Sequence, residues 1–167
     1  MKIRILNEQD AERCHELRLQ SLLDTPEAYL TTYELQAARP IEDIREQIRP
    51  EEDKFTLGAF QADKLVGMVT FVREKRTKIV HKGNLYAMYV APEMRGQGIG
   101  KQLVTELIRK ASLLPGLEQI QLSVITDNPS ARALYASCGF QVYGVERNAM
   151  KAGEQYWDEE KMVLWLN

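Results

Sequence analysis

A switch in hydrophobic period past the middle of this chain is the feature that most constrains its fold. Phe55–Phe60 and Lys64–Val72 read as two strands around the polar turn Gln61-Ala62-Asp63. A charged loop, Arg73 to Lys78, leads to a third strand from about Asn84 to Ala91, so the middle of the chain is an antiparallel meander. Beyond it, strand and helix alternate. Ile99, Leu103, Leu107 and Ala111 line one face of a helix, and Val104 and Ile108 widen the stripe. Lys101, Gln102, Thr105, Glu106 and Arg109 fall on the wet side, and Pro115-Gly116 ends the element. Ile120, Leu122 and Val124 alternate with Gln119, Gln121 and Ser123, which predicts a strand with one polar face. Asn128-Pro129 is an N-cap followed by proline at the first helical position. Gly139 is placed as the left-handed residue that stops this helix, and Phe140 re-enters the core. Two further strands, Gln141 to Arg147 and Tyr156 to Leu166, join near Lys151-Ala152-Gly153-Glu154.

The first third is plainer. Lys2 to Leu6 alternates as a short strand, and Gln9 to Leu23 carries Ala11, Cys14, Leu17, Leu19 and Leu22 near helical spacing. Asp24 to Arg39 is less regular, with Pro26 and Pro40 as punctuation, and Ile41, Ile44 and Ile48 mark a short helix up to Pro50. The order β-α-α-β-β-β-α-β-α-β-β requires a mixed sheet with helices on its faces. A length of 167 residues fits a single domain, 1–167.

Composition narrows the function. Net charge is -2, with lysine and arginine spread along the chain rather than gathered in a patch, so nucleic acid is not an expected partner. Two distant cysteines, Cys14 and Cys138, imply neither a disulfide framework nor a zinc site, and no metal is expected. The N-terminus lacks the apolar core of a signal peptide, and no apolar run is long enough to span a bilayer. A cytoplasmic location away from membranes is the expectation.

The chemistry centres on the turn Arg95-Gly96-Gln97-Gly98-Ile99-Gly100, between a strand and a helix. Glycines let backbone amides approach an anion, the helix N-terminus leaves its first amides unpartnered, and Arg95 can add a full charge. Spacing discriminates among the rivals. A Walker A loop ending at Gly100-Lys101 needs a glycine where Arg95 stands and a hydroxyl where Gln102 stands. A Rossmann fingerprint from Gly96 needs a small residue where Lys101 stands, and the preceding meander opposes a dinucleotide fold. A merely tight connection requires neither the arginine nor three alternate glycines.

Val90-Ala91-Pro92-Glu93-Met94-Arg95-Gly96-Gln97-Gly98-Ile99-Gly100 resembles motif A of the GNAT superfamily of N-acetyltransferases, with its Arg/Gln-x-x-Gly-x-Gly/Ala core. Asn128-Pro129-Ser130-Ala131-Arg132-Ala133-Leu134-Tyr135-Ala136-Ser137-Cys138-Gly139-Phe140 resembles motif B, and the two stand in the family's order. The resemblance implies a GNAT-like α/β (α+β) fold: a central, mostly antiparallel mixed sheet of about seven strands with about four helices on its faces. It also implies acetyl-CoA as co-substrate. The backbone of Met88, Tyr89 and Val90 would hold the pantetheine arm, and the amides of Arg95, Gly96, Gln97, Gly98, Ile99, Gly100 and Lys101 the pyrophosphate. Asn128 would cap its helix and contact the coenzyme, and Tyr135 would lie beside the thioester sulfur as general acid.

The acceptor half is less determined. The resemblance implies direct transfer to a primary amine on a small molecule or peptide; a non-catalytic CoA-binding sensor is the alternative. Many members carry a glutamate base on the strand before motif A, where this chain has Leu85-Tyr86-Ala87-Met88-Tyr89. Glu34 is then a candidate base, and water relayed past Tyr86 or His81 is another route. Tyr29, Tyr33, Tyr156 and Trp157 are candidate walls, with Asp158 or Glu159 to attract an ammonium group. Family members commonly form homodimers, and no feature of this sequence establishes one.

Overall fold

The period-two runs form the centre of the sheet. The computed structural model describes Met1–Asn167. It contains strand β1 (Lys2–Ile5), helices α1 (Ala11–Asp24), α2 (Tyr33–Ala37) and α3 (Ile41–Ile48), and strands β2 (Lys54–Gln61), β3 (Lys64–Arg73) and β4 (Lys82–Val90). Helix α4 (Ile99–Ala111), strand β5 (Gln119–Ile125), helix α5 (Pro129–Ser137) and the hairpin β6 (Gln141–Ala152) and β7 (Gln155–Trp165) complete it. The seven strands run in the order β1-β2-β3-β4-β5-β7-β6. Only β4 and β5 pair in parallel.

Phe55 to Phe60 and Leu65 to Val69 are buried without a break. Successive residues of a strand face opposite sides, so both faces of the sheet are covered here. Helix α4 turns Ile99, Leu103, Val104, Leu107 and Ala111 inward, as its stripe requires. Burying one such leucine stabilises the chain by about 2 kcal/mol. At the other end, the carboxylate of Asp10 accepts both arms of Arg4 at 2.7 Å and the Asn7 amide at 2.9 Å. The Arg4 fork, followed by the Asn7 amide, holds this buried carboxyl below the usual range and fixes the entry to α1.

Two elements differ from expectation. A fifth helix, α2, lies in the segment read as irregular: Thr32 caps it by accepting the Leu35 amide at 3.2 Å, and five residues are too few to show a period. Strand β6 runs on to Ala152 rather than stopping at Arg147. It passes through a bulge at Asn148 (φ 51), whose amide donates to Asp158 at 2.8 Å. Asn128 and Gly139 occupy the cap positions expected of them, the asparagine accepting the Ala131 amide at 3.1 Å and the glycine at φ 97. No helix is long and apolar enough to cross a membrane.

Candidate functional site

Strands β4 and β5 touch only at their beginnings. They pair at Lys82–Gln119, Gly83–Ile120 and Asn84–Gln121. Beyond that, β4 stays on β3 as far as Val90–Gly67, while β5 follows β7 to Ile125–Glu159. The sheet therefore opens at its centre. A bulge sharpens the opening: between the pairs Tyr86–Thr70 and Tyr89–Met68, two residues of β4, Ala87 and Met88, stand opposite Val69 alone, and Ala87 takes φ 53. A non-glycine residue in that region is strained, and such bulges re-aim backbone at functional sites. Two carbonyls of this stretch are held by side chains, not by a strand. The Tyr29 hydroxyl donates to Met88 O at 2.9 Å, and Arg95 Nε donates to Val90 O at 3.0 Å.

A cavity of about 1450 Å³ fills the opening, between β4, the turn before α4, the start of α5 and the α1–α3 segment. At the turn, Gly96 and Gly98 adopt φ 76 and φ 79, which side-chain-bearing residues rarely tolerate. A Cβ on either would meet no atom within 4 Å, so the space above the turn is open. None of the amides from Gly96 to Lys101 donates to a backbone carbonyl, and the helical ladder starts with Gln102 N–H on Gly98 O at 3.0 Å. Consecutive unpartnered amides at the positive end of a helix form an anion seat. Gly100 lets α4 close on the cleft, since a Cβ there would fall 3.1 Å from Met88 Cε and 3.2 Å from Leu134 Cδ2. Gly96, Gly98, Ile99, Gly100 and Lys101 line the cavity, and Gln97 at the apex does not.

Arg95 lines the same cavity, but its charge is already matched. Its Nη2 lies 2.5 Å from Asp24 at the end of α1, and its guanidinium sits over the Tyr89 ring at 5.4 Å. Tyr89 donates to the same carboxylate at 3.1 Å. The arginine thus latches the turn to α1 and β4, where the sequence reading gave it a free charge beside a phosphate. Met88, Tyr89 and Val90 all line the opening, Tyr89 being the most buried of the three.

Tyr135 occupies the last turn of α5, buried in the cavity wall and edge-on to Phe140 with ring centroids 5.9 Å apart. Burial pushes its phenol well above the ordinary value, and Tyr29 and Cys138 push it the same way. The hydroxyl therefore keeps its proton throughout the physiological range. Arg132, one turn earlier, forks onto the buried Glu160 at 2.9 and 2.6 Å and pins α5 to β7. Cys14 also reaches the cavity, but burial raises its thiol to about 11, so it offers no thiolate nucleophile.

Of the acceptor-side candidates, Tyr29, Tyr86 and Glu159 line the cavity. Glu34 does not: it is exposed on α2, with its side chain away from the opening. Tyr33, Tyr156, Trp157 and Asp158 also lie outside the lining. Tyr156 packs under Lys151 near the hairpin end, and Asp158 is occupied by the Asn148 amide. His81 sits at the strand entrance, its carbonyl accepting the amides of Glu118 and Gln119. The carboxylates that do line the cavity, Glu146 and Glu159, are both paired with Lys161 at 3.1 and 3.4 Å. The sequence reading missed Arg18, which enters from the buried side of α1 one turn after Cys14. Its signal was an arginine at a position that continues an apolar stripe.

Residues 14–140 match the family model described as the acetyltransferase (GNAT) family. This chain belongs to that family. Its relatives include the N-alpha-acetyltransferase RimI of Mycobacterium tuberculosis, 31% identical over 85% of this chain and 79% of the relative. The spermidine N(1)-acetyltransferase of Vibrio cholerae is 26% identical, but the match covers 60% of this chain and only 56% of that enzyme. In fold, the chain resembles a GNAT phosphinothricin acetyltransferase from Sinorhizobium meliloti, solved in complex with AcCoA. That likeness has a TM-score of 0.82 at 23% identity and covers 99% of this chain and 88% of the other. Within the GNAT fold, the opened pair β4–β5, the amide-lined turn and α5 all border one cavity.

Proposed function

We propose that this GNAT chain transfers an acetyl group from acetyl-CoA to a primary amine by direct attack within a ternary complex. The observation that carries the reading is the run of unpartnered amides, Gly96 to Lys101, opening onto the cavity that holds Tyr135. The amides and the α4 terminus suit the pyrophosphate, while the backbone of Met88 and Val90 faces a ligand that carries its own amides. The coenzyme's pantetheine would meet two carbonyls already engaged by Tyr29 and Arg95, so its binding competes with or rearranges those bonds.

In the reaction, the amine nitrogen attacks the thioester carbonyl, a C–N bond forms and the C–S bond breaks. The departing sulfur carries the electron pair and needs a proton. Tyr135 supplies a hydrogen bond from an O–H that burial keeps protonated, and it passes the proton on only as charge builds on sulfur, since the same burial makes the phenol a weaker acid at rest. The ammonium form of the acceptor, with a pKa of about 10.4, must first lose a proton. Glu34 lies outside the cavity, and Glu146 and Glu159 are held by Lys161, so no carboxylate on the wall is free to take that proton and it passes to water.

Thiol release from acetyl-CoA, measured over a panel of primary amines, tests the reading. Tyr135→Phe should lower kcat by about 100-fold or more, in the range of general acid–base effects. The Kd for acetyl-CoA should stay within about threefold, because the phenol matters when sulfur departs. An unchanged kcat removes Tyr135 from the chemistry.

A further inference from the structure

One polar atom in the molecule is buried without a partner. It is Nη1 of Arg18, the sole buried side-chain nitrogen or oxygen that makes no hydrogen bond. Arginine carries five N–H donors in a planar fork and does not deprotonate in proteins, so on this half-buried side chain the N–H groups of Nη1 are left without an acceptor beside a permanent charge. The guanidinium lies over the Tyr29 ring at 4.3 Å, a contact that offsets part of this cost but fills none of the donors.

Its surroundings lack a counter-charge. The cavity wall beside it is made by Cys14, His15, Tyr29, Gln36 and Arg39. Arg39 repels Arg18 and donates to Gln47 at 2.6 Å, and His15 Nδ1 and Gln36 Nε2 are 3.3 Å apart. The carboxylates elsewhere on the wall, Glu146 and Glu159, belong to Lys161. Yet the subsite is tied to the reaction centre: Tyr29, beneath the guanidinium, hydrogen-bonds Met88 O on β4 and lines the same cavity as Tyr135.

The geometry points to Arg18 as the seat of a carboxylate on the acceptor, so that this enzyme acetylates amines that also carry an acid group. The inference rests on the proposed acetyl transfer and narrows its acceptor. Amino acids and their relatives fit. Polyamines do not, since a second ammonium would face Arg18 and Arg39 with no acid between them. The guanidinium fork matches the two oxygens of a carboxylate and leaves the amine free to point toward the thioester. An anionic group of the coenzyme is the other source of such oxygens, and the experiment separates the two.

The test compares free amino acids with their carboxamides as acceptors, with spermidine as a polycationic control, in thiol release from acetyl-CoA. The free acids should be preferred by about tenfold or more in kcat/KM, as a charge-assisted fork requires. Arg18→Gln should erase that preference through the acceptor KM and leave the acetyl-CoA KM within about twofold. The same variant should melt no lower than wild type, because it removes a buried nitrogen that has no acceptor; an arginine kept for structure would lower the melting temperature. Equal use of acids and amides, or a preference for spermidine, overturns the inference while acetyl transfer stands. A tenfold rise in acetyl-CoA KM overturns it in favour of the coenzyme. If no amine turns over, the proposed activity fails, and calorimetry on CoA-saturated protein then decides the subsite. Amino-acid binding that Arg18→Gln abolishes supports it, and no binding to wild type overturns it.

Discussion

The two halves of the cavity are built differently. The half proposed for the coenzyme is backbone: amides from Gly96 to Lys101, the open edge of β4, and the capped start of α5. The half proposed for the acceptor is side chain: Arg18 from α1, Tyr29 from the loop after it, Gln36 from α2 and Arg39 from the segment before α3. A backbone site is written in local spacing, because glycines and caps act within a few residues of where they stand. A side-chain site is assembled by tertiary packing, and its members come from separate segments of the chain. One scaffold can therefore keep its donor while varying its acceptor.

That contrast can be broken at several points. The largest effect is expected from Gly98→Val, which forces a β-branched residue into φ 79 and sets a side chain over the amides. Acetyl-CoA KM should rise by about 30-fold or more while the acceptor KM barely moves; a loss confined to the acceptor would mean the halves are not separable. Asp24→Asn comes next. If Arg95 is a latch, loosening its partner should raise acetyl-CoA KM by about three- to fivefold, and adding Arg95→Gln should add little further. Strict additivity, read by the same kinetics, would return Arg95 to a direct phosphate contact. Smallest is Glu34→Gln, expected to leave kcat and both KM values within about twofold, since the side chain is exposed outside the cavity. A hundredfold fall in kcat would reinstate it as a base.

Legibility in the sequence followed the same division. Helices α4 and α5 and strands β2 and β3 were readable because period, cap and stop signals agree there. Helix α2 was not: five residues show no period, and its Thr32 cap is unremarkable in sequence. The far half of β6 was hidden by the bulge at Asn148, whose partner Asp158 lies across the hairpin. The motifs located the amides of Gly96 to Lys101 and the position of Tyr135, but not the fate of Arg95. Its partner Asp24 is distant in sequence, and only the fold brings them together. Glu34 was drawn from its place in an irregular segment, and α2 turns it outward. Arg18 carried a faint signal, a cation in an apolar stripe, that gains meaning once Tyr29 and the missing counter-charge are seen around it.

The central claim is that the coenzyme's pyrophosphate sits on the amides before α4. The most direct measurement follows the amide resonances of Gly96, Gln97, Gly98, Ile99, Gly100 and Lys101 by NMR as acetyl-CoA is titrated in. Those amides should shift downfield together and gain protection from hydrogen exchange, since each donates to solvent or nothing in the free chain. Saturation with acetyl-CoA that leaves all six unmoved, while other amides respond, would contradict the account.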